Sequence, residues 1–495
     1  MVIYQMSVKV LRHMTAIGRS ALSLPAKVLF QTGLANDETN FLDFGCGRGD
    51  DVKFLTELGV PASGWDPHFK PEPSLLKKSD IVNLGFVLNV IENKQERIDV
   101  LKDAYELTDQ CLSVAVMLHS QNDTVTTIPF NDGQITTRQT FQKYYSQTEL
   151  ESLLINALGV NPIAAAPGVF FVFKNEALEQ DFLLKRQLGI IQDYEPQNLL
   201  SKENEKKEKS EQILRLNQNL VKHILNFARK PQLEELPRYF RQQLEKSGIS
   251  YRRIFSTASQ SITEEDLQKA VLLKKEQLSL FFAMYLFSTR PKYRSLNNGL
   301  QKDIKLHFGS MKELEAKAKD LLYSLGENEL IYSDIQKAVD DRFGYSDGDK
   351  FTFNARNLNK IPLRLRGIMS VAERLSGKID DVDLIKIHIE TKKVSYLSID
   401  KFGSSPLPRV LGRTIVDFRD NKIATFDHTK DGKVKVVYLK SRFMHENDPN
   451  YKIQKQFDDR VLEVCDFNFS GEGPRFDEFA ATLFKHKIIP PLYKK

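Results

Sequence analysis

Short apolar runs alternate with helically spaced segments over the first third of this chain. Phe41-Leu42-Asp43-Phe44, the stretch ending Gly64-Trp65-Asp66, a run that opens at Asp80 and passes into the loop at Asn83, and Leu112 to Met117 read as strands. A helical pattern follows Asp50-Asp51, and another runs from Lys94 to Leu107. Strands alternating with helices predict a parallel sheet covered on both faces. Ser23-Leu24-Pro25 starts an earlier helix and Gly33 ends it. Glu149 to Leu158 reads as a late helix, and Val169 to Phe173 as a closing strand in a hairpin with Pro162 to Ala166.

The texture changes beyond Glu176. Ser201 to Lys209 interleaves both charges and reads as a solvated helix or linker. A protease is predicted to cut first within about Gln187 to Ser210, where apolar residues are sparse. Helical spacing follows, through Leu278 to Phe287 and Met311 to Leu325. From Gly344 the period shortens. Ile385, Ile387 and Ile389 share one face of a strand, with Val394 to Ile399 as its hairpin partner across Thr391-Lys392. Thr414 to Phe418, Ile423 to Phe426 and Val434 to Leu439 read as further strands. The predicted fold class is α/β, a doubly wound Rossmann-like sheet, followed by an α-helical region and a β-rich α+β C-terminal region. The expected divisions are 1–175, 176–345 and 346–495.

Composition narrows the setting. No window approaches eighteen consecutive apolar residues, so no membrane span is expected. Met1 to Met14 lacks the apolar core of a signal peptide. Cys46, Cys111 and Cys465 make neither a disulfide framework nor a zinc spacing, so no metal is expected and a reducing cytoplasm is the natural setting. The net charge of +6 and pI near 8.8 are compatible with nucleic acid, but fall below the strongly basic signature of a dedicated nucleic-acid-binding domain.

The chemistry concentrates after the first strand. Asp43-Phe44-Gly45-Cys46-Gly47-Arg48-Gly49-Asp50-Asp51 is an acid, three alternating glycines and two more acids at a helix start. A pyrophosphate site wants glycine where Asp50 stands, and carboxylates there repel pyrophosphate. They suit a helix dipole and cap free N–H groups. S-adenosylmethionine carries no phosphate and fits better. A dinucleotide and a glycine turn without ligand are the alternatives. Asp43 is expected to accept from the cofactor's ammonium group, directly or through water. Gly45, Cys46, Gly47 and Gly49 would form its cradle, Cys46 as a small packing residue. Asp66, seventeen residues after Gly49, stands where an acid takes ribose hydroxyls, or simply opens the Asp66-Pro67 turn.

These segments resemble class I S-adenosylmethionine-dependent methyltransferases and, more narrowly, the DNA phosphorothioation-associated methyltransferase family. The matching stretches include Arg12-His13-x-Thr15-Ala16-Ile17, the glycine loop, Gly64-Trp65-Asp66-Pro67-His68-Phe69 and Val82 to Glu92. Thr140 to Tyr145, Ala166 to Phe170, Lys292 to Leu296 and Lys393 to Ser398 also match. The resemblance implies a methyltransferase acting on or with nucleic acid, DNA or RNA, in a defence setting with protein partners. It names no methyl acceptor. A non-catalytic nucleic-acid-binding or assembly subunit with the same fold, and a small-molecule methyltransferase, are the competing readings.

Methyl transfer needs positioning and, for a weak nucleophile, a base. Asn83 and the backbone of Leu84 are expected on a loop facing the methyl group, Asn83 orienting cofactor or acceptor, or merely closing a strand. The loop Asn83-Leu84-Gly85-Phe86 lacks the two prolines of amino-directed DNA methyltransferases, and neither Cys46 nor Cys111 suits a cytosine-C5 nucleophile. His13, beside Arg12, is the candidate general base; a structural role is its alternative. His68 could line the adenine end. Phe141, Tyr144 and Tyr145 beside Arg138 and Lys143 read either as a base-stacking patch or as a lid. Further on, Arg238 to Arg241, Tyr251 to Arg253 and Arg290 to Arg294 mix cations with aromatics, as nucleic-acid surfaces do. Lys386 and His388 add to this on the open face of their hairpin.

Overall fold

The computed structural model describes residues 10–119, 127–188, 205–287, 292–429, 435–469 and 473–493. The charged run 201–204 and most of the predicted cleavage stretch lie outside them. Among the described residues, no helix is long and apolar enough to cross a membrane. Contacts divide the chain into two units, one of residues 1–175 with 325–495, the other of residues 176–324.

The first unit begins with α1 (Leu24–Gln31), β1 (Phe41–Phe44), α2 (Asp50–Glu57), β2 (Ala62–Trp65), β3 (Ser79–Gly85), α3 (Lys94–Glu106) and β4 (Thr108–Ala115). A small sheet follows, made of β5 (Thr127–Phe130), β6 (Gly133–Thr136) and β7 (Phe141–Gln142). Then come α4 (Gln147–Leu158), β8 (Ile163–Ala166) and β9 (Val169–Phe173). The main sheet has the order β2-β1-β3-β4-β9-β8. β1 to β4 pair in parallel, while β9 is antiparallel to both β4 and β8. The chain leaves β1 for β2 on one side and β3 on the other, which makes their carboxyl ends the switch-point crevice of a doubly wound sheet.

The apolar runs explain this architecture. All four residues of β1 are buried, as a strand covered on both faces requires. Leu42, Val82, Leu84, Leu112 and Val114 form one core with Leu101 of α3 and Leu150 of α4. Sequence chemistry sets the helix starts. Asn93 accepts from the N–H groups of Gln95 and Glu96, and Ser146 with Glu149 forms a capping box on α4. The predicted hairpin of 162–173 is present as β8 and β9. The small β5–β7 sheet was not foreseen, because its strands are too short and polar to show a period. Arg97 of α3 holds it, donating from both terminal nitrogens to Asp132 at 2.8 and 2.6 Å.

The second unit contains α5 (Glu176–Leu188), α6 (Glu205–Phe227), α7 (Arg238–Ser247), α8 (Tyr251–Gln260), α9 (Glu264–Tyr285), α10 (Asn298–Phe308) and α11 (Met311–Ser324). Leu216, Leu220, Phe240, Ile254 and Ala258 share one core. Buried charges are paired there. Asp303 binds Arg229 at 2.6 Å and Lys274 at 3.1 Å.

The chain then returns to the first unit with α12 (Asn328–Asp340), β10 (Tyr345–Asp347), β11 (Lys350–Asn354), α13 (Leu363–Ser376), β12 (Leu384–His388), β13 (Lys393–Asp400), β14 (Arg409–Asp417), β15 (Lys422–Asp427), α14 (Tyr451–Val464) and α15 (Phe476–Lys485). β10 to β15 form an antiparallel sheet in sequence order. Ile385, Ile387 and Ile389 do face one core, against Phe351, Phe353 and Met369. Ile331 and Ile335 of α12 join it, so residues 325–345 pack with the β-rich region rather than with the preceding helices. The expected strand at 434–439 is absent among its described residues. Val436 forms only an isolated bridge to Arg409, and Val437 is buried by packing rather than by sheet pairing.

One close approach brings the end of α13 against the main sheet of this unit. Gly377 ends α13 at φ +71°, and its neighbour Lys378 donates its N–H to Ala165 of β8 at 2.9 Å. A Cβ at Gly377 would lie 2.3 Å from the Ala166 nitrogen. Gly377→Ala should therefore destabilise the protein by roughly 3 kcal/mol, from backbone strain plus overpacking. Urea unfolding measures this; a midpoint equal to wild type would refute the contact.

Candidate functional site

The crevice at the carboxyl ends of β1 to β3 opens into a cavity of about 960 Å³. That is the upper range of small-molecule and cofactor sites. The glycine loop forms its floor. Gly45, Gly47 and Gly49 have φ of +85°, +52° and +84°, where side chains are strained. A Cβ on Gly45 would meet Val87 Cγ2 at 2.4 Å, and one on Gly47 would lie 3.2 Å from Ala16 Cβ. The loop is pinned to β2. The Trp65 carbonyl accepts from the N–H groups of Gly45 and Cys46 at 2.8 and 3.0 Å.

Asp66 stands at the end of β2. Its Oδ2 accepts from the Gly47 N–H at 3.0 Å, and its Oδ1 from the N–H groups of His68 and Phe69 at 2.8 and 2.9 Å. An ionised carboxylate has about four acceptor positions, so one remains beyond these three. The turn reading of Asp66 is borne out. The side chain shapes the Asp66-Pro67 turn and also faces the cavity.

The two acids after the loop act differently from expectation. Gly49, the residue preceding α2, supplies no side-chain cap. Asp50 accepts from the Arg19 N–H and Asp51 from the Ser23 N–H, each at 2.7 Å. They tie down residues 10–23, which cover the loop. The same segment is fastened on its other side. Arg12 pairs with Glu92 at 2.9 Å and Glu96 at 2.5 Å, and the Leu11 N–H donates to the Gln139 carbonyl at 2.9 Å. His13 is thereby carried to the cavity wall, where its ring stacks on His68 with centroids 4.3 Å apart.

Asp43 and Asn83 face each other across β1 and β3 in register. Asn83 Nδ2 donates to Asp43 Oδ1 at 2.9 Å, while Asn83 Oδ1 is buried with no hydrogen-bond partner. Asp43 is 5% exposed and lines the cavity. Burial, reinforced by the nearby Asp51 carboxylate, pushes Asp43 up to about 7, against the opposing effects of Asn83 and Arg19. A buried acid held near neutrality is the kind of group that a cationic ligand would compensate.

Asn83 itself lies within β3 rather than on the loop after it, and is 1% exposed. It does not line the cavity and reaches it only by holding Asp43, so the expected contact with the reacting groups gives way to a positioning role. Leu84 points into the core at 0% exposure. The next three residues, Gly85, Phe86 and Val87, line the cavity in its place. Strand β3 simply runs farther than its polar Asn83 suggested. Phe86 adopts φ +63°, unusual for a bulky residue, with the Arg19 guanidinium 5.4 Å over its ring. Neither Phe86 nor Arg19 carries a sequence signal for this role. Cys46 borders the cavity, and burial pushes its thiol up to about 12, so it stays protonated and unsuited to attack.

The aromatic run divides. Phe141 and Tyr145 are fully buried, and Lys143 pairs with Glu149 at 2.7 Å, so none of the three is free to stack on a base. Tyr144 and Arg138 do line the cavity, on the side formed by the β5–β7 sheet. Among the described residues, no group of three His, Cys, Asp or Glu side chains could hold a metal. In the helical unit, Phe240 is core while Arg252, Arg253 and Arg294 are exposed. Arg290 and Pro291 lie outside the described residues.

No protein-family model matches the chain, and no curated protein matches it. Several solved methyltransferase structures resemble part of it. A 1,6-didemethyltoxoflavin-N1-methyltransferase from Burkholderia thailandensis, with bound S-adenosylhomocysteine, is 14% identical over 30% of this chain and 79% of its own, with a TM-score of 0.23. A SAM-dependent methyltransferase from Aquifex aeolicus is 16% identical over 31% and 89%, at 0.22. The CcbJ methyltransferase from Streptomyces caelestis is 16% identical over 31% and 91%, at 0.24. Scores this low carry no argument; the doubly wound, Rossmann-like character of the sheet is read from its own strand order.

Proposed function

We propose that this protein is an S-adenosylmethionine-dependent methyltransferase. The observation that carries this reading is the convergence of Gly45 and Gly47, both at positive φ, with Asp43 and Asp66 on one switch-point cavity; Gly49, at the start of α2, does not line it. The residues fit the cofactor. The glycine loop leaves room for its body, Asp66 has an acceptor position for a ribose hydroxyl, and Asp43 offers a carboxylate to its ammonium group. S-adenosylmethionine supplies an electrophilic methyl group when bound. The chain's own work is to orient, to exclude water beneath residues 10–23, and to accept a proton where the acceptor needs it. His13 is the candidate base at that cavity, its ring stacked on His68.

Asp66→Ala should weaken S-adenosylmethionine binding by roughly 1.5–3 kcal/mol, the scale of hydrogen bonds to a charged group. Calorimetry measures it; unchanged affinity removes Asp66 from the site. The function itself is tested by transfer of radiolabelled methyl from S-adenosylmethionine to extracted DNA, RNA and small-molecule pools. Label in none of the three, with the cofactor bound, would favour a non-catalytic role.

A nucleic-acid acceptor or partner, and with it the tie to DNA phosphorothioation, rests on the sequence resemblance and on the exposed Arg252, Arg253 and Arg294. Changing these three to alanine should flatten the dependence of log affinity on log salt by roughly two to three units if each meets one phosphate. If the unmodified protein shows no salt-sensitive binding to DNA or RNA, these arginines are ordinary surface.

A further inference from the structure

The cavity read as the cofactor site has two unlike sides. Its volume of about 960 Å³ is at the upper end for one bound molecule. Asp43, Gly45, Gly47 and Asp66 gather at the ends of β1 and β2. The other side is built from the ends of β3 and β4 and from β7. Gly85 and Ala115 are the last registered pair of β3 and β4, and the Phe86 N–H still donates to the Ala115 carbonyl at 2.8 Å. Phe86 and Met117 thus leave neighbouring strand ends, and both line the cavity. Along β7 and just after it, alternation buries Phe141, Lys143 and Tyr145 while Gln142 and Tyr144 line the cavity.

Phe86 is held in a strained conformation. Its φ of +63° is one that bulky side chains rarely adopt, and among the described positive-φ residues it is the only aromatic one. Such strain persists where the surroundings enforce it, and it gathers at ligand sites. Core packing does not account for it. Leu84, two residues earlier, is fully buried in the main core, whereas Phe86 stays partly exposed at the cavity. Large apolar side chains lie open around the same space. Met14, Ile17, Leu24, Phe69 and Met117 are all exposed and all line this cavity. Scattered singly they would need no account; gathered around one cavity they mark a surface that a ligand covers. Gln142 adds a polar edge. Its Nε2 donates to the Met117 sulfur at 3.1 Å, a weak acceptor that a ligand oxygen or nitrogen can replace.

We propose that this side of the cavity takes the methyl acceptor, and that the acceptor is a free small molecule with a flat aromatic ring carrying a hydroxyl or amino group. This acceptor class rests on the methyltransferase reading and makes it specific. Phe86 offers the ring an aromatic partner, Met117 an adaptable, polarisable contact, and Gln142 a hydrogen bond to the polar substituent. In the transfer the acceptor's oxygen or nitrogen gains the methyl group that S-adenosylmethionine supplies. The electron pair of the broken bond stays on sulfur, and the released proton passes to His13. The loop ending in Phe86 lacks the two prolines of amino-directed DNA methyltransferases, which favours a free ring over a base in nucleic acid. Nucleic acid is then a partner at the exposed arginines rather than the acceptor.

The test is calorimetric titration of the full chain, first with S-adenosylhomocysteine and then, once loaded, with 2-naphthol, its saturated counterpart decahydro-2-naphthol, or a single-stranded oligonucleotide. 2-Naphthol should bind the loaded protein at least about tenfold more tightly than the saturated alcohol, the scale of one aromatic pair. Phe86→Asn and Phe86→Leu should each weaken 2-naphthol by a similar factor and change S-adenosylhomocysteine affinity less. Asparagine tolerates positive φ, so the melting temperature of Phe86→Asn should hold or rise. A lower melting temperature with unchanged ring affinity would give Phe86 a structural role and overturn the proposal. It is also overturned if the loaded protein does not bind 2-naphthol, if the saturated alcohol binds as well, or if the oligonucleotide displaces 2-naphthol. Failure of S-adenosylhomocysteine to bind overturns the methyltransferase reading as well, whereas bound cofactor without ring binding overturns this acceptor class alone.

Discussion

Gly47→Val should lose S-adenosylmethionine binding by at least about a hundredfold, roughly 2.8 kcal/mol at 1.4 kcal/mol per decade. Two effects combine. A β-branched residue at φ +52° is strained, so the loop would relax toward another conformation. Its Cβ would also press on Ala16, which sits in the segment that Asp50 and Asp51 tether. Either response moves the cradle or its cover. Gly59→Val is the control, because Gly59 has φ +88° but a Cβ there meets nothing within 4 Å. It should carry comparable backbone strain and keep its affinity. Calorimetry on both variants, with melting curves to confirm folding, separates cradle damage from general destabilisation. Equal affinities for Gly47→Val and wild type would show that the loop does not hold the cofactor.

How much of this was legible in the sequence follows from what each signal physically reports. The glycine loop could be read because three alternating glycines serve positive φ, which few other residues tolerate, and each has it here. The strands of the main sheet could be read because burial on both faces forces continuous apolar runs. Isoleucine alternation likewise located β12. Other features were illegible because their cause is long-range. Asn83 is polar, so its place looked like a strand end; its partner Asp43 is forty residues away and accepts from its Nδ2 inside the sheet. Asp50 and Asp51 looked like helix caps, and only the fold reveals that they receive backbone donors from Arg19 and Ser23. Phe141, Tyr145 and Lys143 read equally as a base-stacking patch or as a lid, because composition does not distinguish a buried, paired cation from an exposed one. The β5–β7 sheet is tied to α3 by Arg97, a long-range partner on another element.

S-adenosylmethionine affinity should fall about tenfold per pH unit as the solution is acidified below about 7, or 1.36 kcal/mol per unit. The cause is Asp43, raised to about 7 by burial and by Asp51. Burial is the largest cause; Asp51 and Asp66 add to it, and Asn83 and Arg19 oppose it. Only its ionised form gives the cofactor's ammonium group a charge-assisted hydrogen bond, so protonation competes with binding. The sign for stability is opposite. The folded value lies above the ordinary carboxylate value of about 3.9, so the native state binds the extra proton between the two. Asp43's contribution to stability is therefore fully present below about pH 4 and is lost as pH rises through about 7. Between pH 7 and 5 the cofactor-free protein should gain stability from this group while its cofactor affinity drops. Asp43→Asn should flatten both profiles and lower affinity at pH 8. Binding isotherms and melting curves from pH 5 to 8 test the two trends together. An affinity that stays level from pH 8 to 5 in wild type would remove Asp43 from the ammonium contact. A level stability profile would show that its carboxyl is not raised.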